Sequence, residues 1–185
     1  MTTPRSEQSG FSMMEVLITL LLISISILGM VAMQAQSISF AQDSIQRNTA
    51  AMLAEDLMEM MRADSIRVLD VAGLPRDQSD YYKAAGEAFP AEPASCSPLP
   101  AAAEERLGCW AARAQEALPD AAGLIEDDFH ICRSATPNVC GATGSAIEVQ
   151  LAWRVKDGDC LDAAVDVEAD DYDGTICRYR LRAEL

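Results

Sequence analysis

The sequence predicts an α+β fold: a long N-terminal helix, membrane-spanning in its first half and amphipathic in its second, packed on a small antiparallel β-sheet head with a second short helix. Three observations predict it. No charged residue occurs for 27 positions between Glu15 and Asp43. No proline interrupts residues 11–74, and apolar residues continue beyond the uncharged stretch at spacings of three, four and seven. Two segments near the C-terminus alternate apolar and polar side chains, the period of a strand with one buried face.

The 185 residues carry 29 acidic against 14 basic side chains, a formal net charge of −15. That length fits one domain with an appendage. Residues 70–185 hold 22 acidic and 10 basic groups, enough chain for one folded head. Nucleic acid is excluded as a direct partner, because phosphate binding needs clustered Lys and Arg. Docking onto anionic lipid headgroups is excluded for the same reason. The apolar fraction, 50%, is too high for a disordered chain.

The first element is the apolar run at residues 16–33, carried by Val16, Leu17, Ile18, Leu20, Leu21, Leu22, Ile23, Ile25, Ile27, Leu28 and Val31. At about 1.5 Å per residue it meets the lower limit for crossing roughly 30 Å of hydrocarbon. It is too long for the core of a secretory signal peptide, and Ala32-Met33-Gln34-Ala35 is a poor cleavage site. The second half of the helix places Ile38, Ala41, Ile45, Met52, Leu53, Leu57, Met60 and Met61 on an apolar stripe, with Gln42, Arg47, Glu55, Glu59 and Arg62 around it. Met52, Met58, Met60 and Met61 are expected as adaptable core filler. One helix could run from residue 11 to about residue 69, some 85–90 Å at about 1.5 Å per residue, with Gly73-Leu74-Pro75 as the stop.

Residues 75–100 are rich in proline and form a loop. Residues 101–118 predict the second helix, with Leu107, Trp110, Ala111, Ala114 and Leu118 on one face and Pro119 and Gly123 as its end. A short strand is expected at 129–133. The clearest strand puts Ile147, Val149, Leu151, Trp153 and Val155 on one face and Glu148, Gln150 and Arg154 on the other. The last strand alternates Cys177, Tyr179, Leu181, Ala183 and Leu185 with Arg178, Arg180, Arg182 and Glu184; its arginines could face Glu148 across an antiparallel pair.

All six cysteines (Cys96, Cys109, Cys132, Cys140, Cys160 and Cys177) follow the greasy segment. An even count confined to such a head reads as disulfides in an oxidising compartment. Zinc would need closer pairs than any present, and His130 is the sole histidine. Pairing of neighbours, 96–109, 132–140 and 160–177, is the expectation carried forward.

Glu15 stands at the lip of the apolar run, where a buried carboxylate costs a few kcal/mol and so tends to mark a function. Were the chain cut after Gly10, the new α-amine would lie four residues, one helical turn, from Glu15, and the two groups could neutralise each other. The plain alternative leaves Glu15 in the headgroup region.

Gly10-Phe11-Ser12-Met13-Met14-Glu15-Val16-Leu17 resembles the G|F-S-x-x-E-V-L signature of type IV prepilins and their minor-pilin and pseudopilin relatives. The resemblance implies that prepilin peptidase cuts between Gly10 and Phe11, that Phe11 is N-methylated, and that Glu15 sets register in assembly. It also implies a pilin-like fold: a leader at 1–10, a transmembrane and assembly half at 11–34, an amphipathic half at 35–72, and a disulfide-containing periplasmic head at 73–185. Cys109-Trp110, Leu118-Pro119-Asp120-Ala121-Ala122-Gly123 and Glu148-Val149-Gln150-Leu151-Ala152-Trp153 are similar to landmarks of the PilV-type minor pilins, the type IV pilus modification family. Asp120-Ala121 departs from the glycines common there. The implied partners are prepilin peptidase, the major and other minor pilins through the N-terminal helix, and the inner-membrane assembly machinery. The implied place is the inner membrane, single-pass, and then the pilus fibre or tip; the implied roles are pilus biogenesis, twitching motility and adhesion.

No catalytic residue is expected. One histidine supplies neither a Ser-His-Asp triad nor a metal hydrolase site, and phosphate loops and nucleotide fingerprints are missing. Neither cofactor nor metal is expected, and His130, between Phe129 and Ile131, reads as an ordinary surface residue on the polar face of its strand. Residues 157–173 hold eight acidic side chains; Asp166-x-Glu168-x-Asp170 opens like a calcium loop, but Asp171 replaces the required glycine, so a solvated loop is expected. Besides the filament subunit, two readings stay open: a pseudopilin of a type II secretion system, and a stationary tether holding a periplasmic binding module.

Overall fold

The computed structural model describes residues 12–156, 160 and 174–185, with nothing said of the side chains of Ala35 and Gln36. Helix α1 is Met13–Ala63, and the four-residue α2 is Ser65–Val68. Helix α3, Ala103–Ala117, is followed by a 3-10 turn at Ala121–Gly123. Strands β1 (His130–Ser134), β2 (Ala146–Arg154) and β3 (Ile176–Ala183) form one antiparallel sheet in the order β1-β2-β3. This is an α+β, pilin-like arrangement. The chain divides into two compact units, residues 1–40 and 41–185.

The second unit holds the core. From α1 it takes Ala50, Leu53, Ala54, Leu57, Met58 and Met61, a three-and-four repeat. Helix α3 adds Leu107, Trp110, Ala111 and Ala114, and β2 adds Ile147, Val149, Leu151 and Trp153. Fully burying each large aliphatic or aromatic side chain contributes about 1.5–3 kcal/mol. Alanines at 50 and 54 leave room beside the α1 backbone. Trp110 uses that proximity, its Nε1 donating to the Leu53 carbonyl at 2.9 Å.

Two sequence expectations for α1 are corrected. Leu53, Leu57 and Met61 of the expected stripe are buried, but Ile38, Ile45 and Met52 are exposed; Ala50, Ala54 and Met58 complete the seam, and a hydropathy pattern undervalues the small alanines. Met58 and Met61 fill the core as expected, but Met52 does not. The helix also ends at Ala63 rather than near residue 69. The chain turns at Asp64, whose carboxylate receives Arg106, accepts from Tyr81 Oη at 3.2 Å and pairs with Arg67 at 3.3 Å. These tertiary partners outweigh continuation of the helix. Beyond α2, Asp70 accepts from the backbone amides of Ala72 and Leu74, and Gly73 adopts φ +77°, so Gly73-Leu74-Pro75 forms a turn after both helices have already ended.

The proline-rich loop is tied to both neighbouring elements. Lys83 and Ile131 exchange backbone hydrogen bonds of 2.9 and 2.8 Å along the free side of β1. The Cys96–Cys109 disulfide anchors the loop to α3. Gly108 makes the approach possible, since a Cβ there would stand 2.5 Å from the Ala91 carbonyl oxygen.

In the sheet, Cys132 sits opposite Glu148, Glu148 opposite Arg182, and Gln150 opposite Arg180. The expected polar face of β2 is not solvated: Glu148 and Gln150 are both buried. Strand β2 is central, and the turn following β1 lies over its polar side, with Asn138 N reaching Glu148 Oε2 at 2.9 Å. The disulfides join Cys96 to Cys109, Cys132 to Cys140, and Cys160 to Cys177, with Cα–Cα distances of 5.8, 5.6 and 5.6 Å.

Candidate functional site

Among the described residues before Ala41, α1 leaves its apolar run exposed. Val16, Leu17, Ile18, Leu20, Leu21, Leu22, Ile23, Ile25, Ile27, Leu28 and Val31 are all exposed, between 46% and 69%. No part of the most apolar stretch is buried, and the helix is long and apolar enough to cross a membrane by length and composition. Exposing so much apolar surface to water is costly at about 25 cal/mol per Å².

The polar interruptions of the run are self-satisfied. Thr19 Oγ1 donates to the Val16 carbonyl at 2.9 Å, Ser24 Oγ to Leu20 at 2.7 Å, and Ser26 Oγ to Leu22 at 2.8 Å. Each hydroxyl would therefore meet an apolar medium with its donor already used, avoiding the 1–3 kcal/mol, roughly, of an unmade bond. The helix presents a uniformly apolar surface despite three polar residues.

Glu15 lies in the first turn, exposed, its amide donating to the Ser12 carbonyl at 3.0 Å. A carboxylate there complements the unsatisfied amides and dipole of the helix start. Its 27 uncharged successors leave it as the single charge at the head of the apolar segment. Gly10 and Phe11 lie outside the described residues. So do residues 157–159 and 161–173 of the acidic loop.

The head contains two polar clusters that the sequence did not announce. Lys83 is buried, and its Nζ donates to the carbonyls of Ile125 (2.9 Å), Phe129 (2.8 Å) and Glu126. Burial pushes its pKa down, against the upward pull of Asp127, Glu126, Glu87 and Asp128. Three carbonyl acceptors require the ammonium form, so Lys83 acts as a clamp on the turn before β1. A lone lysine in a loop carries no sequence signal for this role.

The second cluster corrects the reading of His130. Rather than a surface residue, it is mostly buried against Glu148, with His130 Nε2 3.6 Å from Glu148 Oε1. Burial pushes its pKa down, opposed by the Glu148 charge. Glu148 is 1% exposed; its Oε2 accepts from Asn138 N and, at 3.4 Å, from Ser134 Oγ. Only the antiparallel register brings His130 and Cys132 onto one face beside Glu148.

A family model described as a prokaryotic N-terminal methylation motif matches residues 5–31. That interval contains the Gly10-Phe11 junction, Glu15 and most of the apolar run, and supports a type IV prepilin-like protein. The match does not extend into the head. No curated protein and no solved structure matches the chain.

Proposed function

We propose that this prepilin-like chain is a minor pilin of a type IV pilus, held in the inner membrane and then incorporated into the fibre or used to prime it. One observation carries the reading: the described apolar run of α1 is exposed throughout and begins, within the matched motif, at a single carboxylate. In this reading prepilin peptidase removes residues 1–10, and Phe11 becomes the methylated N-terminus. The head is periplasmic and its role structural rather than catalytic. Its partners are the major pilin, other minor pilins and the assembly machinery.

The physical logic needs one surface to serve two solvents. Lipid covers the helix first and like helices cover it after extraction, and the hidden hydroxyls of Thr19, Ser24 and Ser26 suit both. Glu15 sets register by pairing with the α-amine of a neighbouring Phe11, because a shifted helix would leave a charge unpaired in apolar surroundings. A type II secretion pseudopilin would share the motif. The Cys109-Trp110 pair and the strand ending at Trp153, both built into the head core, favour the pilus version.

Intact mass and terminal sequencing of the membrane-derived chain test processing. The expected product starts at N-methylated Phe11. A Met1 start would instead mean a fixed tether, and a start beyond Met33 a secreted head. Glu15→Val should leave membrane insertion intact while lowering piliation at least about tenfold; normal piliation in that variant would remove the pairing role.

A further inference from the structure

The sheet has two outer edges, and only one of them is covered. Along β1, Lys83 exchanges backbone hydrogen bonds of 2.9 and 2.8 Å with Ile131. Among the described residues, β3 pairs with β2 alone. The phase of that ladder follows from one bond, Val155 N to the Thr175 carbonyl at 2.8 Å. Antiparallel residues alternate between those that give both backbone groups to the neighbour and those that turn both away. Cys177, Tyr179, Leu181 and Ala183 therefore bond β2, while Ile176, Arg178, Arg180 and Arg182 turn N–H and C=O outward. The other edge agrees: Ile131 gives both its groups to Lys83, so Val149 opposite it bonds Leu181. Among the described residues, no backbone hydrogen bond reaches Ile176, Arg178 or Arg182 along the outer edge.

The two faces of β3 say what kind of chain fits there. Tyr179, Leu181 and Ala183 lie on the core side yet are only half-buried, whereas Leu151, Val149 and Ile147 opposite them are fully buried. The core is unfinished along this edge. On the opposite face stand Arg178, Arg180 and Arg182. Arg178 pairs with Asp128 at 2.7 Å, while Arg182 is exposed and hydrogen-bonds to the neutral oxygens of Ser134 and Ala135. Strand β3 has eight residues and no proline, so these side chains are what guards the edge. Two-fold pairing with the β3 of a second copy, centred on Arg180, would set Arg180 against Arg180 and Arg178 against Arg182. Like charges directly opposite are destabilising, which rejects that occupant.

We propose that the outer edge of β3 is an interaction surface that takes an extended segment of another protein as a fourth strand. That segment is apolar at the positions beside Tyr179 and Leu181, and carries neither Lys nor Arg at the positions beside the arginines. The backbone row asks for a strand, because only extended main chain offers donors and acceptors at that repeat. The half-buried apolar side asks for alternate apolar residues, and the arginines exclude a basic partner. The surface goes beyond the pilus reading and rests on the head alone.

The test uses the full chain in detergent, isotope-labelled for amide exchange by magnetic resonance. The probe is a short synthetic peptide alternating valine with glutamate. At saturating peptide the amides of Ile176, Arg178 and Arg182 should exchange at least about tenfold more slowly, while those of Tyr179 and Leu181, already bonded to β2, change little. A peptide alternating valine with lysine should bind at least about fivefold more weakly. The net charge of −15 would favour the lysine peptide at long range, so the opposite preference isolates the local arginines. A valine–glutamate peptide N-methylated on the amides of one edge and blocked on the other should not bind. No binding, equal or tighter binding of the lysine peptide, undiminished binding of the N-methylated peptide, or protection confined to other residues would overturn the proposal. So would slow exchange of the outward amides before peptide is added, which would mean that the edge is already covered, by a second copy if the protection grows with protein concentration.

Discussion

Asp120 shows how much a single residue can hold. It adopts φ 53°, the left-handed conformation that favours glycine, while its carboxylate accepts from Arg154 Nε at 2.9 Å. Asp120→Ala loses that exposed pair, at most about 1 kcal/mol, and puts a Cβ without a polar group in a conformation costing roughly 1–2 kcal/mol. Asp120→Gly loses the same pair but relieves the backbone. Urea unfolding should therefore rank glycine above alanine, with glycine within about 1 kcal/mol of the natural chain; the reverse order would show that the ion pair dominates. Tyr81 supplies a pH dependence. Burial raises its phenol from 10.0 to about 12, and the carboxylate of Asp64 beside it adds to the effect. The folded value lies above the unfolded one, so the contribution is complete below pH 10 and lost as pH rises toward 12. Stability should fall across that window by up to about 3 kcal/mol. Urea midpoints measured from pH 9 to 12 should fall less steeply in Tyr81→Phe, though not flatten, because burial also raises Tyr82.

At the scale of elements, the joint between α1 and α3 depends on one indole. Trp110→Ala should cost about 3–5 kcal/mol, the cost of an aromatic cavity. Trp110→Phe keeps most of the volume and loses the bond to the Leu53 carbonyl, and should cost about 1–2 kcal/mol. Equal losses for the two would mean the hydrogen bond, not the filling, holds the helices. The existence of α1, α3 and all three strands was legible in periodicity and punctuation, with boundaries one to a few residues off. The α1 stripe was legible only in part: Leu53, Leu57 and Met61 are buried as expected, but Ile45 and Met52 out-rank Ala50 and Ala54 in hydropathy while only the alanines permit close approach. The end of α1 was not legible, since the partners of Asp64 come from residues 67, 81 and 106.

For the whole molecule, the division at residue 40 is the consequential fact. Every buried core residue named above lies in the second unit, and the exposed apolar run lies in the first. A chain beginning at Ala41 should dissolve without detergent, unfold cooperatively and keep its near-ultraviolet tryptophan signal. The full chain should require detergent. If the shortened chain fails to fold, the first half of α1 contributes to the head after all.

The sequence by itself determined the α+β class, the long apolar helix, the motif around Gly10, Phe11 and Glu15, and the readiness of six cysteines to pair, because these are written in local order: an unbroken apolar run, a fixed spacing, a period of two. Only the tertiary structure decided which alanines face the core, that Lys83 clamps three carbonyls, and that His130 lies against Glu148. Those outcomes depend on strand register and on close approach between segments distant in the chain, and no local pattern encodes either.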